Sequence, residues 1–176
     1  MTKKAGGASV HASAVRIGNR AVLIRGPSGS GKSRLAFDLI LAGRAGQIAP
    51  AILIGDDRVH LGVSAGALIV RPEPALAGLI EIRGLGIRRC DFAEEAVVGL
   101  LVDLDAADAA RLPLPESLLA QISGIKIPRI PVGIGFDAFP LVVAALTMTA
   151  SSSSSRPSAD CSKGIGNHIT STIATE

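Results

Sequence analysis

Residues 26–33 read Gly26-Pro27-Ser28-Gly29-Ser30-Gly31-Lys32-Ser33, the G-x-x-x-x-G-K-[ST] spacing of a phosphate-binding loop. In such a loop successive backbone N–H groups turn inward onto phosphate oxygens, and the glycines allow the close approach. Lys32 is then placed to reach the β- and γ-phosphates of a nucleotide, and the Ser33 hydroxyl to ligate Mg²⁺. The loop alone leaves open where the phosphate goes: to water, to a small molecule or to another protein.

Five further residues have types that suit phosphate chemistry. Asp56 and Asp57 end an apolar run, "AILIGDDRV". Two adjacent carboxylates beside a triphosphate can divide the work, one holding metal or hydrogen bonds while the other takes a proton from an attacking hydroxyl. The alternative is a turn, since Gly55-Asp56-Asp57 is also turn chemistry. Glu81 alternates with Ile80 and Ile82 and so lies on the opposite face of its strand. There it either meets solvent or supplies a metal-site carboxylate beside Ser33, because Mg²⁺ takes few protein oxygens in addition to phosphate. Arg83 can grip phosphate bidentately or form a surface ion pair. His11 is a lone histidine in "ASVHASAV", with a structural reading and a site reading both open.

These residues need elements to hold them. "AVRIGNRAVLIRG" predicts a hairpin turning at Gly18-Asn19, whose second strand, residues 21–25, runs into the phosphate loop. A helix is expected from Lys32 to about Ala42, with Leu35, Ala36, Leu39 and Ile40 on one face and Gly43 as its stop. Strands are expected within 51–59, ending in the two carboxylates, and over 60–63, 67–70, 79–82 and 97–104. Pro128 and Pro131 make 125–135 an edge strand or a loop. "FPLVVAALTM" predicts a last helix over 139–148, with Pro140 near its start. No internal repeat occurs. From Ser151 the chain becomes polar and Ser-rich. Residues 1–150 therefore read as one catalytic domain and 151–176 as a disordered tail.

Composition narrows the partners. Of the 176 residues 48% are hydrophobic but only 2% aromatic, with no Trp or Tyr, so the core must be aliphatic and base stacking is disfavoured; no nucleic-acid partner is expected. No apolar run is long enough to span a bilayer, so no membrane partner is expected. The N-terminus lacks the apolar stretch of a signal peptide, which predicts a cytoplasmic protein. Cys90 and Cys161 have no metal-ligand spacing and are expected to be reduced. The net charge of +3 is uneven. Residues 16–44 carry six basic groups against Asp38, and 94–116 carry six acids against Arg111. These are either two solvated surfaces or, for the first, a basic face around the nucleotide.

The segments "ASVHASAV", "VLIRGPSGSGKS", "ILIGDDRV" and "LIEIRGLGI", in that order over residues 8–148, resemble the C-terminal catalytic domain of HPr kinase/phosphorylase. "EIRGLGI" is a hallmark of that family rather than of phosphate loops in general. The resemblance implies an α/β P-loop domain with a mixed, twisted sheet, similar to phosphoenolpyruvate carboxykinase. It implies transfer of the γ-phosphoryl of ATP to a serine of HPr, the phosphocarrier of the sugar phosphotransferase system, with reverse phosphorolysis in many members. It implies Asp57 as the catalytic carboxylate, His11 as its electrostatic partner, Asp56 as a neighbour completing the constellation, and Ser33 and Glu81 as Mg²⁺ contacts. Three departures are visible. The family's usual N-terminal domain has no counterpart here, as in the short alphaproteobacterial form. Its Gly-Arg-Asn element is replaced by "VGIGFDAFP" (132–140), so phosphorolysis is expected to be weaker than kinase activity. Its last helix, involved in HPr contact and in homo-oligomer packing, gives way to the Ser-rich segment. A nucleotide-sensing module with little turnover and a small-molecule kinase stay open as alternatives.

Overall fold

A computed structural model of the chain describes residues 8–148. Its elements are β1 (Ala8–Val10), β2 (Ser13–Ile17), β3 (Arg20–Arg25), α1 (Lys32–Arg44), β4 (Ala51–Gly55), β5 (Val59–Ser64) and β6 (Ala67–Pro72), then β7 (Leu79–Ile82), β8 (Gly86–Arg89), β9 (Ala96–Leu104), β10 (Leu119–Ile122), β11 (Ile125–Val132) and α2 (Ala138–Thr147). Single 3₁₀ turns cover Pro74–Leu76 and Pro115–Leu118.

The strands make one mixed sheet in the order β1-β5-β6-β9-β3-β2-β4, with β11 also on β9 and β10 on β11. At its centre β3 runs parallel to β9, pairing Arg25 with Asp103, and β11 runs parallel to β9, pairing Val132 with Leu104. The ends of these parallel strands present the phosphate loop, as expected for a ligand site at the carboxyl ends of an α/β sheet. The remaining neighbours are antiparallel, including the two-residue hairpin at Gly18-Asn19.

Side chains alternate between two aliphatic clusters. Along β3, Val22 and Ile24 join α1 and α2 in one cluster, while Ala21 and Leu23 join Val59, Leu61, Leu68 and Val70 of the curled β5–β6 side in the other. The alternation breaks at Gly99. The register between β3 and β9 shifts there, so Val98 faces one cluster and Leu100 the other, although they are two apart. A Cβ at Gly99 would stand 2.9 Å from the Arg20 Cβ, which leaves no room for a side chain beside the bulge.

Helix α1 packs through Leu35, Ala36, Leu39 and Ile40, the apolar stripe expected, and through Ala42 as well. Each large aliphatic side chain so buried contributes about 1.5–3 kcal/mol. Its end differs from expectation. Gly43 is not the stop but lies in the last turn, where a Cβ would meet the Ala51 backbone N at 2.6 Å. The left-handed residue is Gly46, φ 72, and the helix closes with Gly46 N–H donating to Gly43 O and Gln47 N–H to Ala42 O. Residues 125–132 form a strand rather than a loop. Its first half pairs with β10 and its second with β9, so each half meets one partner and the prolines are tolerated. Helix α2 starts one residue earlier than expected because Asp137 caps it, accepting from Phe139 N–H. Strands β1, β8 and β10 were not anticipated. The tail over 151–176, with Cys161, lies outside the described residues, as do residues 1–7.

Candidate active site

The strand β3 delivers the chain into the loop, and α1 begins at Lys32 directly behind it. Gly26, Gly29 and Gly31 all have positive φ (154, 81 and 96), a run that only glycine adopts without strain. Gly26 is also sterically fixed: a Cβ there would meet Ser30 Oγ at 2.6 Å and Leu104 Cβ at 2.9 Å. Gly31 occupies the N-cap position and no side chain caps α1, so the first N–H groups of the helix stay available to an anion. Pro27, Ser28 and Gly29 form the exposed crest, with Ser33 half-buried in the first turn.

Lys32 is 6% exposed, and its Nζ donates to Gly26 O at 3.0 Å and Pro27 O at 2.8 Å. Burial lowers its proton affinity, and the nearby Asp57 and Asp56 charges oppose that shift. The same fact places both aspartates within electrostatic reach of the lysine. Ser30 Oγ is buried without a hydrogen-bond partner among the described residues, a donor within the cradle that an anion can use.

The two aspartates have separated fates. Asp56 is 4% exposed and both its oxygens are engaged: Ser13 Oγ donates to Oδ1 at 2.5 Å, and Glu81 N–H donates to Oδ2 at 3.1 Å. It therefore ties β2 and β7 to the end of β4. Asp57 centres a tight turn, φ 64, closed by Arg58 N–H on Asp56 O at 2.7 Å. The turn throws its side chain outward, 68% exposed, with His11 Nε2 3.2 Å from Asp57 Oδ1. The turn reading of the Asp pair holds, and the two side chains are separated, one buried and bonded, the other exposed. A non-glycine residue held at positive φ at the mouth of a phosphate loop is a form of backbone strain that concentrates at functional sites.

Glu81 is exposed on β7 and Arg83 is exposed in the following turn, without an ion-pair partner among the described residues. Among the described residues no three His, Cys, Asp or Glu groups form a ready-made metal cluster. That donor set fits a Mg²⁺ carried in on phosphate oxygens, which requires only one or two protein oxygens such as Ser33 and Glu81. The glycine cradle, the uncapped helix start and the unpaired Ser30 hydroxyl fit a nucleotide's phosphates.

One group of residues escaped the sequence reading. Arg25, immediately before Gly26, forms a fork on Asp103 at 2.7 and 2.8 Å; Arg129 donates to the same carboxylate at 2.6 Å and forks onto Asp108 at 2.6 and 2.9 Å. Burial pushes the Asp103 carboxyl up, but the hydrogen bonds from Arg25 and Arg129 outweigh it and hold it below the usual range. The Asp108 hydrogen bond, working against burial, holds the Arg129 guanidinium firmly protonated. The basic and acidic stretches of the sequence are therefore not two independent solvated faces, because Arg25 of one is bonded to Asp103 of the other. The Arg25–Asp103 pairing spans 78 residues, so no local pattern could have exposed it.

Strand, glycine loop and helix, with a lysine and two carboxylates converging at the end of a mixed sheet, define a P-loop domain of the α/β class. The chain belongs to the HPr Serine kinase C-terminal domain family, which matches residues 2–160. It is 36% identical to the HPr kinase/phosphorylase of Enterococcus faecalis over 157 residues, covering 81% of this chain and 48% of that protein. To the HPr kinase/phosphorylase of Bordetella pertussis it is 36% identical over 142 residues, 73% of this chain and 44% of that one. The chain thus spans less than half the length of these curated relatives. The Hpr(Ser) kinase/phosphatase structure from Coxiella burnetii superposes with a TM-score of 0.63 at 26% identity, covering 78% of this chain and 87% of the other.

Proposed function

We propose that this chain carries out Mg-ATP-dependent phosphorylation of a serine on an HPr-like phosphocarrier protein. The carrying observation is the division of the aspartate pair: Asp56 is locked into the fold, while Asp57 stands exposed beside His11 and within the field of Lys32.

In this reading the phosphate loop and Lys32 hold the triphosphate, and Lys32 exchanges its bonds to Gly26 O and Pro27 O for phosphate oxygens. Bound Mg²⁺, held by Ser33 and Glu81, would neutralise charge on the phosphates. The acceptor serine approaches Asp57. Its oxygen forms a bond to the γ-phosphorus as the bond from that phosphorus to the β–γ bridging oxygen breaks, ADP leaves with the bond's electrons, and the serine proton passes to Asp57. His11 holds the Asp57 carboxylate in place. Asp56 acts at one remove, fixing the turn and, through Glu81 N–H, the strand that carries Glu81. Arg83 serves phosphate. This chemistry rests on positioning and charge, not on a covalent enzyme intermediate.

Phosphorolysis is the weaker direction. Residues 132–140 contain no cation to receive inorganic phosphate; they expose Ile134 and Phe136 and use Asp137 as a helix cap. Cytoplasmic location and homo-oligomeric assembly belong to the same reading. Among the described residues, no helix is long and apolar enough to cross a membrane.

The test is incubation with γ-labelled ATP and HPr. Label on an HPr serine supports the proposal. ATP binding without transfer supports the nucleotide-sensing alternative, and label on a metabolite but not on protein supports a small-molecule kinase. Inorganic phosphate added to the serine-phosphorylated product should yield little pyrophosphate.

A further inference from the structure

Strands β7 and β8 pair only with each other and stand outside the main sheet. Their inner face is settled: Ile80 is 3% exposed and packs with Ile82 into the cluster beneath α1. The outer face is not covered. The register sets Glu81 opposite Ile87 and Leu79 opposite Arg89, so the face that presents Glu81 also presents Ile87, with Cβ atoms about 4.5–5.5 Å apart across such a pair. Ile87 is 65% exposed and Leu85, at the turn, 60%. Arg89 is exposed and has no ion-pair partner among the described residues.

This hairpin is also fixed to the reaction centre. Glu81 N–H donates to Asp56 Oδ2, and Asp56 is followed directly by the turn that exposes Asp57. Ile87 lies directly across from Glu81, so in the reading that gives Glu81 to the metal the outer face borders the reaction centre. Two bare aliphatic side chains would be wasted on a phosphate or a nucleotide. A nucleic acid would look for aromatic platforms, and the chain has no Trp or Tyr. Aliphatic anchors flanked by arginine suit a protein surface with an apolar patch and an acidic rim.

The geometry points to the outer face of the β7–β8 hairpin, through Leu85, Ile87 and Arg89, as the dock for the protein phosphoacceptor. This rests on the serine-kinase reading above. The hairpin engages an apolar patch on the acceptor, and Arg89 meets carboxylates at its rim.

The experiment compares Leu85→Ser, Ile87→Ser, Arg89→Glu and Arg89→Lys with the wild type, using HPr as acceptor. The first three should raise the KM for HPr about tenfold or more, leaving ATP affinity and acceptor-free ATP turnover unchanged. Arg89→Glu should also flatten the salt dependence of that KM, and Arg89→Lys should keep it. A wild-type KM in Leu85→Ser, Ile87→Ser and Arg89→Glu, with the wild type active, overturns the dock alone. If instead these variants lose co-sedimentation with phosphatidylserine vesicles, or change oligomeric mass, at unaltered KM, the face serves a lipid surface or a second copy and the dock is overturned. Failure of the wild type to phosphorylate HPr overturns the kinase reading, and the dock falls with it.

Discussion

The glycine-loop corner and the β7–β8 hairpin side of this molecule are built in opposite ways. At the glycine-loop corner Lys32 is buried on backbone carbonyls, and Arg25 at the root of the loop is paired with Asp103. On the hairpin side Asp57, Glu81, Arg83 and Ile87 are all exposed, and one backbone hydrogen bond to Asp56 joins the hairpin to the aspartate pair. A triphosphate has fixed geometry, so its cradle can be prebuilt with its charges already compensated. In the proposed reading a macromolecular acceptor supplies half of its own binding surface, which is why the side it meets stays open. The adjacent Asp56 and Asp57 mark the seam, one side chain bonded into the scaffold and the next exposed and, in the proposed reading, given to the chemistry.

The sharpest break of that contrast lies at the seam. Asp57→Asn keeps shape but cannot take the serine proton, and should lower phosphoryl transfer by about 10²–10⁴-fold with ATP affinity little changed. Asp56→Ala should act differently, lowering thermal stability by about 1–3 kcal/mol because it strands the buried Ser13 hydroxyl. Melting curves and transfer rates on both variants separate the two roles. If Asp56→Ala leaves the melting temperature untouched, Asp56 is not the scaffold member of the pair.

On the prebuilt side, Lys32→Ala removes the charge facing the phosphates and should cost about 10²–10³-fold in transfer, with ATP binding weakened in calorimetry. Near-normal binding would show that the cradle does not depend on its lysine.

Asp103→Asn probes the root of the loop. The folded Asp103 carboxyl holds its proton less tightly than in the unfolded chain. Its stabilisation is therefore present above the ordinary carboxylate pKa, and is lost as the pH falls through the folded value. The variant should be about 1.5–3 kcal/mol less stable at neutral pH, and the gap should narrow below about pH 4. Denaturant titrations at several pH values read this directly, and a gap independent of pH would refute the ionic account.

The smallest effect belongs to the open side. Glu81→Gln keeps size and removes charge, so a Mg²⁺ titration of transfer should shift several-fold to higher concentration with the melting temperature unchanged. An unshifted titration would leave Glu81 a solvent-facing residue.

Much of this was legible because it is local. The phosphate-loop spacing, the Gly18-Asn19 turn, the stripe of α1 and the alternation that turns Glu81 away from Ile80 each depend on a few neighbouring residues, and backbone sterics enforce them wherever they occur. The short strands β1, β8 and β10 were not legible. Three or four residues carry no measurable period, and β8 is exposed throughout, so only its pairing with β7 makes it a strand.

What only the tertiary structure decided is which of two like residues takes which role. Asp56 and Asp57 are identical in composition and adjacent in sequence. One is buried because Ser13 and the Glu81 backbone come to it from 43 and 25 residues away, and the other is thrown outward by a left-handed turn to face His11. Likewise Arg25, one of the six basic residues counted over 16–44, is paired with Asp103 from a strand that only folding sets beside it. The sequence by itself determined that residues 26–33 would form a glycine loop leading into a helix, since that needs only one loop's backbone geometry. The assignment of charges around the loop required long-range pairing, because electrostatic partners are chosen by distance in space and leave no trace in spacing along the chain.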